Sequence, residues 1–207
     1  SGSHSFAVGN NAAATGTNAI AIGSNTDAAE RAVAIGGAGA QALQQNTTAI
    51  GSSSSSQPAT CPFGGGAGAI ALGGSYATGT DSFAAAIANN TSTYGAQGTS
   101  SIAMGHQSKS TGNYAVAIGS AQATGSDYGV SIGYNARSSN HSTVAIGREA
   151  GLGGSGSSSV SIGHESNSSG SDSLAIGRNV KANASSSVAI GAYARVGGII
   201  GKYAFAN

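Results

Sequence analysis

A motif of large apolar, small, large apolar and glycine returns along this chain at a spacing of 14 residues. It is plainest in Val116-Ala117-Ile118-Gly119, Val130-Ser131-Ile132-Gly133 and Val144-Ala145-Ile146-Gly147. A fixed short period is the mark of a repeat architecture, in which one unit cannot bury its apolar face alone and neighbours must stack. The motif glycines are Gly9, Gly23, Gly36, Gly51, Gly73, Gly105, Gly119, Gly133, Gly147, Gly163, Gly177 and Gly191, at spacings of 14, 13, 15, 22, 32, 14, 14, 14, 16, 14 and 14. The first and last are thirteen periods apart. The widest gap holds a degenerate copy, read as Ala85-Ala86-Ile87-Ala88, with alanine in place of glycine. The expectation is about 13 turns of one unit, with no separate domain.

Each unit has two halves. In Asn113–Gly119 the bulky Val116 and Ile118 alternate with Ala115 and Ala117, a period of two that predicts a strand with one bulky and one thin face. The second half alternates small residues, as in Ala12, Ala14 and Gly16 or, with a one-residue shift, Ala121, Ala123 and Gly125, and predicts a strand that buries alanine and exposes its other side. Between the halves stand pairs such as Asn10-Asn11, Ser24-Asn25, Tyr134-Asn135 and Arg178-Asn179, residues suited to tight turns. Fourteen residues hold two short strands and two turns but no helix. Successive turns then stack strand on strand in parallel, about 4.8 Å apart. The predicted class is all-β, a parallel β-roll.

Such a roll is thin. Alanine-faced sheets bury little area at about 25 cal/mol per Å², and the bulky stripe is left in water. A contiguous apolar stripe marks an interface. The chain is therefore expected to form a homo-oligomer, with Phe6, Val8, Ile20, Ile22, Val116, Ile118, Val130, Ile132, Val144, Ile146, Val188 and Ile190 packed at a central axis. The alternative places the bulky residues inside the roll and the alanines at the interface.

Three stretches break the period: residues 52–69, with Pro58, Cys61, Pro62 and Phe63; residues 89–101, with Tyr94; and residues 148–159, mostly Gly and Ser. Insertions in a solenoid become surface loops. The roll is expected over residues 1–195, and 196–207 form an edge or a cap.

The unit, S-V-A-I-G followed by x-x-A-x-A-x-G, resembles the head repeat of YadA-type trimeric autotransporter adhesins, from Phe6 to about Arg195. The resemblance implies a left-handed roll and three identical chains around the axis. It also implies display on a bacterial surface, anchored in the outer membrane through a C-terminal region. The implied function is binding to host matrix proteins such as collagen or fibronectin, to cells, or to itself. Neck, stalk heptads and anchor are not found in this stretch, which fits an excised head or the same repeat used elsewhere, for instance in a phage fibre.

Candidate chemistry is sparse. Val33–Leu43 imitates a dinucleotide fingerprint through Gly37, Gly39 and Ala42. That fold requires an acidic residue about 20 positions on, and none stands between Glu30 and Asp81. His106 and His164 both follow a motif glycine, four turns and roughly 19 Å apart by strand spacing, so they are not expected to share a metal. His4 and His141 are read as surface residues. Cys61 has no placeable base, and a lone cysteine forms no intrachain disulfide. No catalytic, cofactor or metal site is expected. A formal charge of +1 with 7% charged residues argues against nucleic acid, and no apolar run of about 18 residues spans a bilayer as a helix.

The positions after the motif glycines carry more. His106, Ser120, Tyr134, Arg148, His164, Arg178 and Ala192 form one column, and Gln107, Ala121, Asn135, Glu149, Glu165, Asn179 and Tyr193 the next. His106, Tyr134, Arg148, His164 and Arg178 are the candidate ligand ridge. Tyr114 and Tyr128, each five residues before a glycine, are expected to stack. The leading functional reading is a non-enzymatic adhesin head acting by multivalent contacts. A structural spacer or fibre segment is the alternative, and an ice-binding solenoid ranks last because Thr15, Thr78, Thr111 and Thr124 do not recur regularly.

Overall fold

The computed structural model describes residues 2–37, 39–51, 63–85, 93–125, 127–198 and 202–206. They form two compact units, Ser1–Ser108 and Lys109–Asn207. Both are built from the same two-strand turn, and no helix occurs among the described residues.

In the first unit, strands of three residues pair in parallel in chain order: Phe6–Val8, Ile20–Ile22, Val33–Ile35, Thr48–Ile50, Ile70–Leu72, Phe83–Ala85 and Ile102–Met104. Two-residue strands form the opposing ladder: Ala13–Ala14, Asp27–Ala28, Gln41–Ala42, Phe63–Gly64, Tyr76–Ala77 and Gly95–Ala96. The second unit repeats this with the long strands Val116–Ile118, Val130–Ile132, Val144–Ile146, Val160–Ile162, Leu174–Ile176, Val188–Ile190 and Tyr203–Phe205. Its short strands are Lys109–Ser110, Gln122–Ala123 and Arg137–Ser138, then Lys181–Ala182 and Arg195–Val196, with Asn167 bridging to Lys181. The protein is a parallel β-solenoid of about 13 turns.

Register follows residue size. Val116, Val130, Val144 and Val160 stand in one column, with Ala117, Ser131, Ala145 and Ser161 beside them. The small column faces inward: Ala117 and Ala123 are fully buried, and Val180 is the largest side chain that is. The bulky residues point out. Val116, Ile118, Val130, Ile132, Val144, Ile146, Val188 and Ile190 are half-buried, while Val8 is 51% exposed. Of the two packings weighed from sequence, the structure has alanine inside the roll.

In two turns of the second unit interior serines face each other, while the buried Ser110 donates to the Ala115 carbonyl at 2.8 Å. Ser131 faces Ser138 with hydroxyls 2.8 Å apart, and Ser161 faces Ser168 at 2.6 Å. Each long-strand hydroxyl also accepts the partner's backbone N–H, at 2.8 and 2.9 Å. Other buried hydroxyls donate to the carbonyl three residues back, as in Thr47 to Gln44 (2.7 Å) and Ser187 to Ala184 (2.6 Å). Pairing of this kind offsets the cost of burying a hydroxyl, although among the described residues the Ser82 and Ser101 hydroxyls, Arg137 Nε and Asn167 Oδ1 are buried without a partner.

Two corners close each turn. After the motif glycine, Asn11, Asn25, Asn135 and Asn179 take the left-handed conformation, φ 54–55°. At the other corner His4, Asn18, Asp81, Tyr114 and Ser142 do the same. Asparagine and aspartate tolerate this region best. The motif glycine has a separate reason. At Gly163, φ is 122° and an added Cβ would lie 2.3 Å from the Gly177 carbonyl oxygen.

Several boundaries differ from the sequence reading. The degenerate copy is Phe83–Ala85, two residues earlier than Ala85-Ala86-Ile87-Ala88, because Phe83 pairs with Ile70 and Ile102. A slip of two preserves the alternation, so the pattern alone does not detect it. The irregular stretches are narrower too: Phe63–Gly64 and Gly95–Ala96 take their places in the short ladder. Residues 52–62, with Cys61, and 86–92 lie outside the described residues. The tail reaches the ladder through Tyr203–Phe205, which pairs with Val188–Ile190 and carries the repeat past residue 195.

Candidate functional site

The ridge is built by a backbone ladder at the corner after the motif glycine. Glu149 N–H donates to the Tyr134 carbonyl (2.9 Å), Glu165 to Arg148 (2.9 Å), Asn179 to His164 (2.8 Å) and Tyr193 to Arg178 (2.9 Å). Tyr134, Arg148, His164 and Arg178 therefore stand on four successive turns of the second unit. Tyr134 is 62% exposed. His106 occupies the equivalent position in the first unit and is exposed.

Ala121 does not belong to this edge. Gly119 is followed by a corner one residue shorter than usual, which turns Ala121 fully into the interior. Ala121 N–H bonds back to the Gly119 carbonyl at 2.8 Å.

The ridge side chains engage one another. Arg148 reaches Glu149 Oε1 at 3.2 Å and Glu165 Oε1 at 3.7 Å, and its guanidinium meets His164 Nε2. His164 Nε2 is 3.3 Å from Glu165 Oε1, and Asn179 Nδ2 donates to Glu165 Oε2 at 3.0 Å. Arg178 lies 4.9 Å over the Tyr193 ring, a cation–π contact. The C-terminal part of the ridge is thus a pre-ordered polar network. Such exposed pairs contribute little to stability, but they fix where charge and hydrogen-bonding groups stand.

Beside the ridge, Glu149, Leu152, Gly153, Glu165, Asn167, Asn179 and Lys181 line a shallow groove of about 400 Å³. It owes its shape to the irregular stretch 148–159. Residues 150 and 151 keep ladder register, with Arg137 N–H on the Ala150 carbonyl and Gly151 N–H on that of Ser166. The extra residues then bulge at Leu152–Gly154, which replace a regular short strand.

The opposite corner carries the expected tyrosine stack. Tyr114 and Tyr128 lie 5.3 Å apart between ring centroids, with planes 4° from parallel, and His141 meets the Tyr128 ring edge-on at 5.6 Å. In the fingerprint mimic, Val33–Ile35 and Gln41–Ala42 are strands of the roll, and Ala40 and Ala42 are buried in it. Among the described residues, no three of His, Cys, Asp or Glu gather where a metal ion would bind.

The serine pairs went unread in the sequence, although Ser131 and Ser138, like Ser161 and Ser168, stand seven apart. So did the outward column of the short strands. Its signal is the residue four after the usual motif glycine, such as Arg137, Lys181 and Arg195.

No curated protein matches the chain significantly. The family model described as the YadA head domain repeat (2 copies) matches residues 1–26, 28–54, 96–121, 125–150 and 155–179. These matches cover more than half of the chain, and they fall on the two-strand turns described above. The chain belongs to the YadA head repeat family, an adhesin-type family.

Proposed function

We propose that this chain is a non-enzymatic adhesin head, assembled as a homotrimer of left-handed β-rolls and displayed at the bacterial cell surface. A C-terminal region beyond this stretch anchors it in the outer membrane. The observation that carries the reading is the outer face of the long strands, where every turn presents bulky side chains to solvent. Phe6 is 55% exposed and Val8 51%, with Ile20, Ile50 and Ile70 also exposed. The residues placed at the axis are Val8, Ile22, Val116, Ile118, Val130, Ile132, Val144, Ile146, Val188 and Ile190. Covering a face of this regularity takes a partner with the same repeat, and a second and third copy supply it.

The ridge of His106, Tyr134, Arg148, His164 and Arg178 would then be presented three times. Three copies of a weak site on one trimer bind a repeating ligand such as collagen, fibronectin or another cell surface far more tightly than one. The test is the solution mass by light scattering at low and high concentration, followed by solid-phase binding to matrix proteins. A stable mass of three chains with matrix binding is expected. A folded monomer at all concentrations would overturn the assembly, and a trimer that binds no matrix protein, cell or copy of itself would reduce the head to a spacer.

A further inference from the structure

The outer face of the short ladder in the second unit is basic. Seven of the eight Lys and Arg residues of the chain lie in 109–207, against four of its seven Asp and Glu. Four of those cations share one column. Lys109, Gln122 and Arg137 stand side by side, and after the bulge at Leu152–Gly154 the column resumes with Asn167, Lys181 and Arg195. Every charged residue in this column is positive. The equivalent column of the first unit reads Ala13, Asp27, Gln41, Phe63, Tyr76 and Gly95.

Among the described residues none of these four cations has an ion-pair partner. Among the described residues the ion pairs join Glu30 with Arg31, Arg148 with Glu149 and Glu165, and His164 with Glu165. Glu149 and Glu165, the acids beside the column, are engaged with the ridge. Arg137 Nη2 makes a long contact to Gln122 Oε1 at 3.4 Å, and its buried Nε finds no acceptor. A second outward column stands two residues on: Thr111, Thr124, Ser139, Ser169 and Asn183, all neutral hydrogen-bonding groups, then Gly197.

We propose that this face binds a linear anionic polysaccharide of the sulfated or uronic class. The ladder spacing of about 4.8 Å places Lys181 and Arg195 about 5 Å apart and Lys109 and Arg137 about 10 Å apart. This is a sparse single file of charge, suited to a chain with separated anionic groups. The neighbouring hydroxyl and amide column matches sugar hydroxyls. Single-stranded nucleic acid would call for aromatic platforms between the cations, and this column has none. The proposal goes beyond the adhesin reading and does not depend on the oligomer, because the face lies opposite the Val/Ile stripe.

The test is binding of the full chain to immobilised heparin, competed with dextran sulfate, neutral dextran and a single-stranded DNA oligonucleotide. Dextran sulfate is expected to displace the protein and neutral dextran to leave it bound. The variant K109Q/R137Q/K181Q/R195Q is expected to lose at least about tenfold in affinity and to show a flatter salt dependence, since each neutralised cation removes one counterion-releasing contact. The smaller variant K181E/R195E serves if the fourfold one misfolds. The ridge variant R148Q/R178Q is expected to bind within about twofold of the parent. The proposal is overturned if the parent does not bind heparin, if the column variants bind as the parent does, if the ridge variant loses as much, or if DNA displaces the protein better than dextran sulfate.

Discussion

Replacing Ser161 with alanine removes one hydroxyl from the roll interior but strands two groups. Ser161 Oγ accepts the Ser168 amide at 2.9 Å and pairs with the Ser168 hydroxyl at 2.6 Å, and both serines are buried. Ser161→Ala leaves the Ser168 hydroxyl and amide without partners, at about 1–3 kcal/mol each, so about 2–6 kcal/mol in all. Ser168→Ala costs less, about 1–2 kcal/mol, because Ser161 Oγ still accepts the amide and only the hydroxyl–hydroxyl bond is lost. The double variant strands the amide alone, about 1–3 kcal/mol. It is therefore expected to be more stable than Ser161→Ala, although it lacks one more hydroxyl. Alanine facing alanine is a packing this roll already uses, as at Ala175 and Ala182. The assay is a double-mutant cycle by urea denaturation, with amide exchange at residue 168 as a local readout. The exchange matters because repeat arrays need not unfold in one step. A double variant equal to or less stable than Ser161→Ala would refute the pairing logic.

Four further outcomes follow from the geometry. Ile132→Lys, on the outer face, should leave the circular dichroism of the roll intact and, for the proposed trimer, lower the mass in light scattering to one chain. Ala117→Leu, in the interior, should destabilise by about 1–3 kcal/mol through overpacking, read as a lower urea midpoint. Gly163→Ala should cost more than Gly154→Ala in the same assay. Both have positive φ, but a Cβ at Gly154 meets nothing within 4 Å while at Gly163 it lies 2.3 Å from a carbonyl oxygen. Tyr114→Ala should cost about 0.5–1.5 kcal/mol through loss of the stack, seen as a change in tyrosine near-ultraviolet dichroism.

Much of the fold was legible because one rule, small inside and bulky outside, is written 14 residues apart over most of the chain. Val116, Ala117 and Ile118 announce both the strand and its two faces. What the period could not fix was register within an irregular turn. Phe83–Ala85 and the pattern at 85–88 satisfy the same alternation, and only cross-strand pairing chooses between them. Ala121 was misplaced for a related reason: the count from the motif glycine assumes a full corner, and the corner after Gly119 lacks a residue. The ridge positions were readable from spacing alone, whereas their mutual contacts, Arg148 to Glu149 and Glu165 or Arg178 over Tyr193, depend on side-chain reach that spacing does not encode. The basic column was hidden by chain-wide neutrality. A formal charge of +1 averages an acidic first half with a basic second one.

The division of labour within each turn bears on how such a molecule changes over generations. Structural information sits in the inward alanines, the serine pairs and the motif glycine. The outward positions of the short strands hold Asp27, Gln41, Phe63 and Tyr76 in one unit and Lys109, Gln122 and Arg137 in the other on the same backbone. A substitution at these sites alters what the surface attracts without disturbing the interior. Duplication or loss of one whole turn lengthens or shortens the surface without creating a new core. The scaffold can therefore explore ligands by drift at its exterior while its folding instructions stay constant.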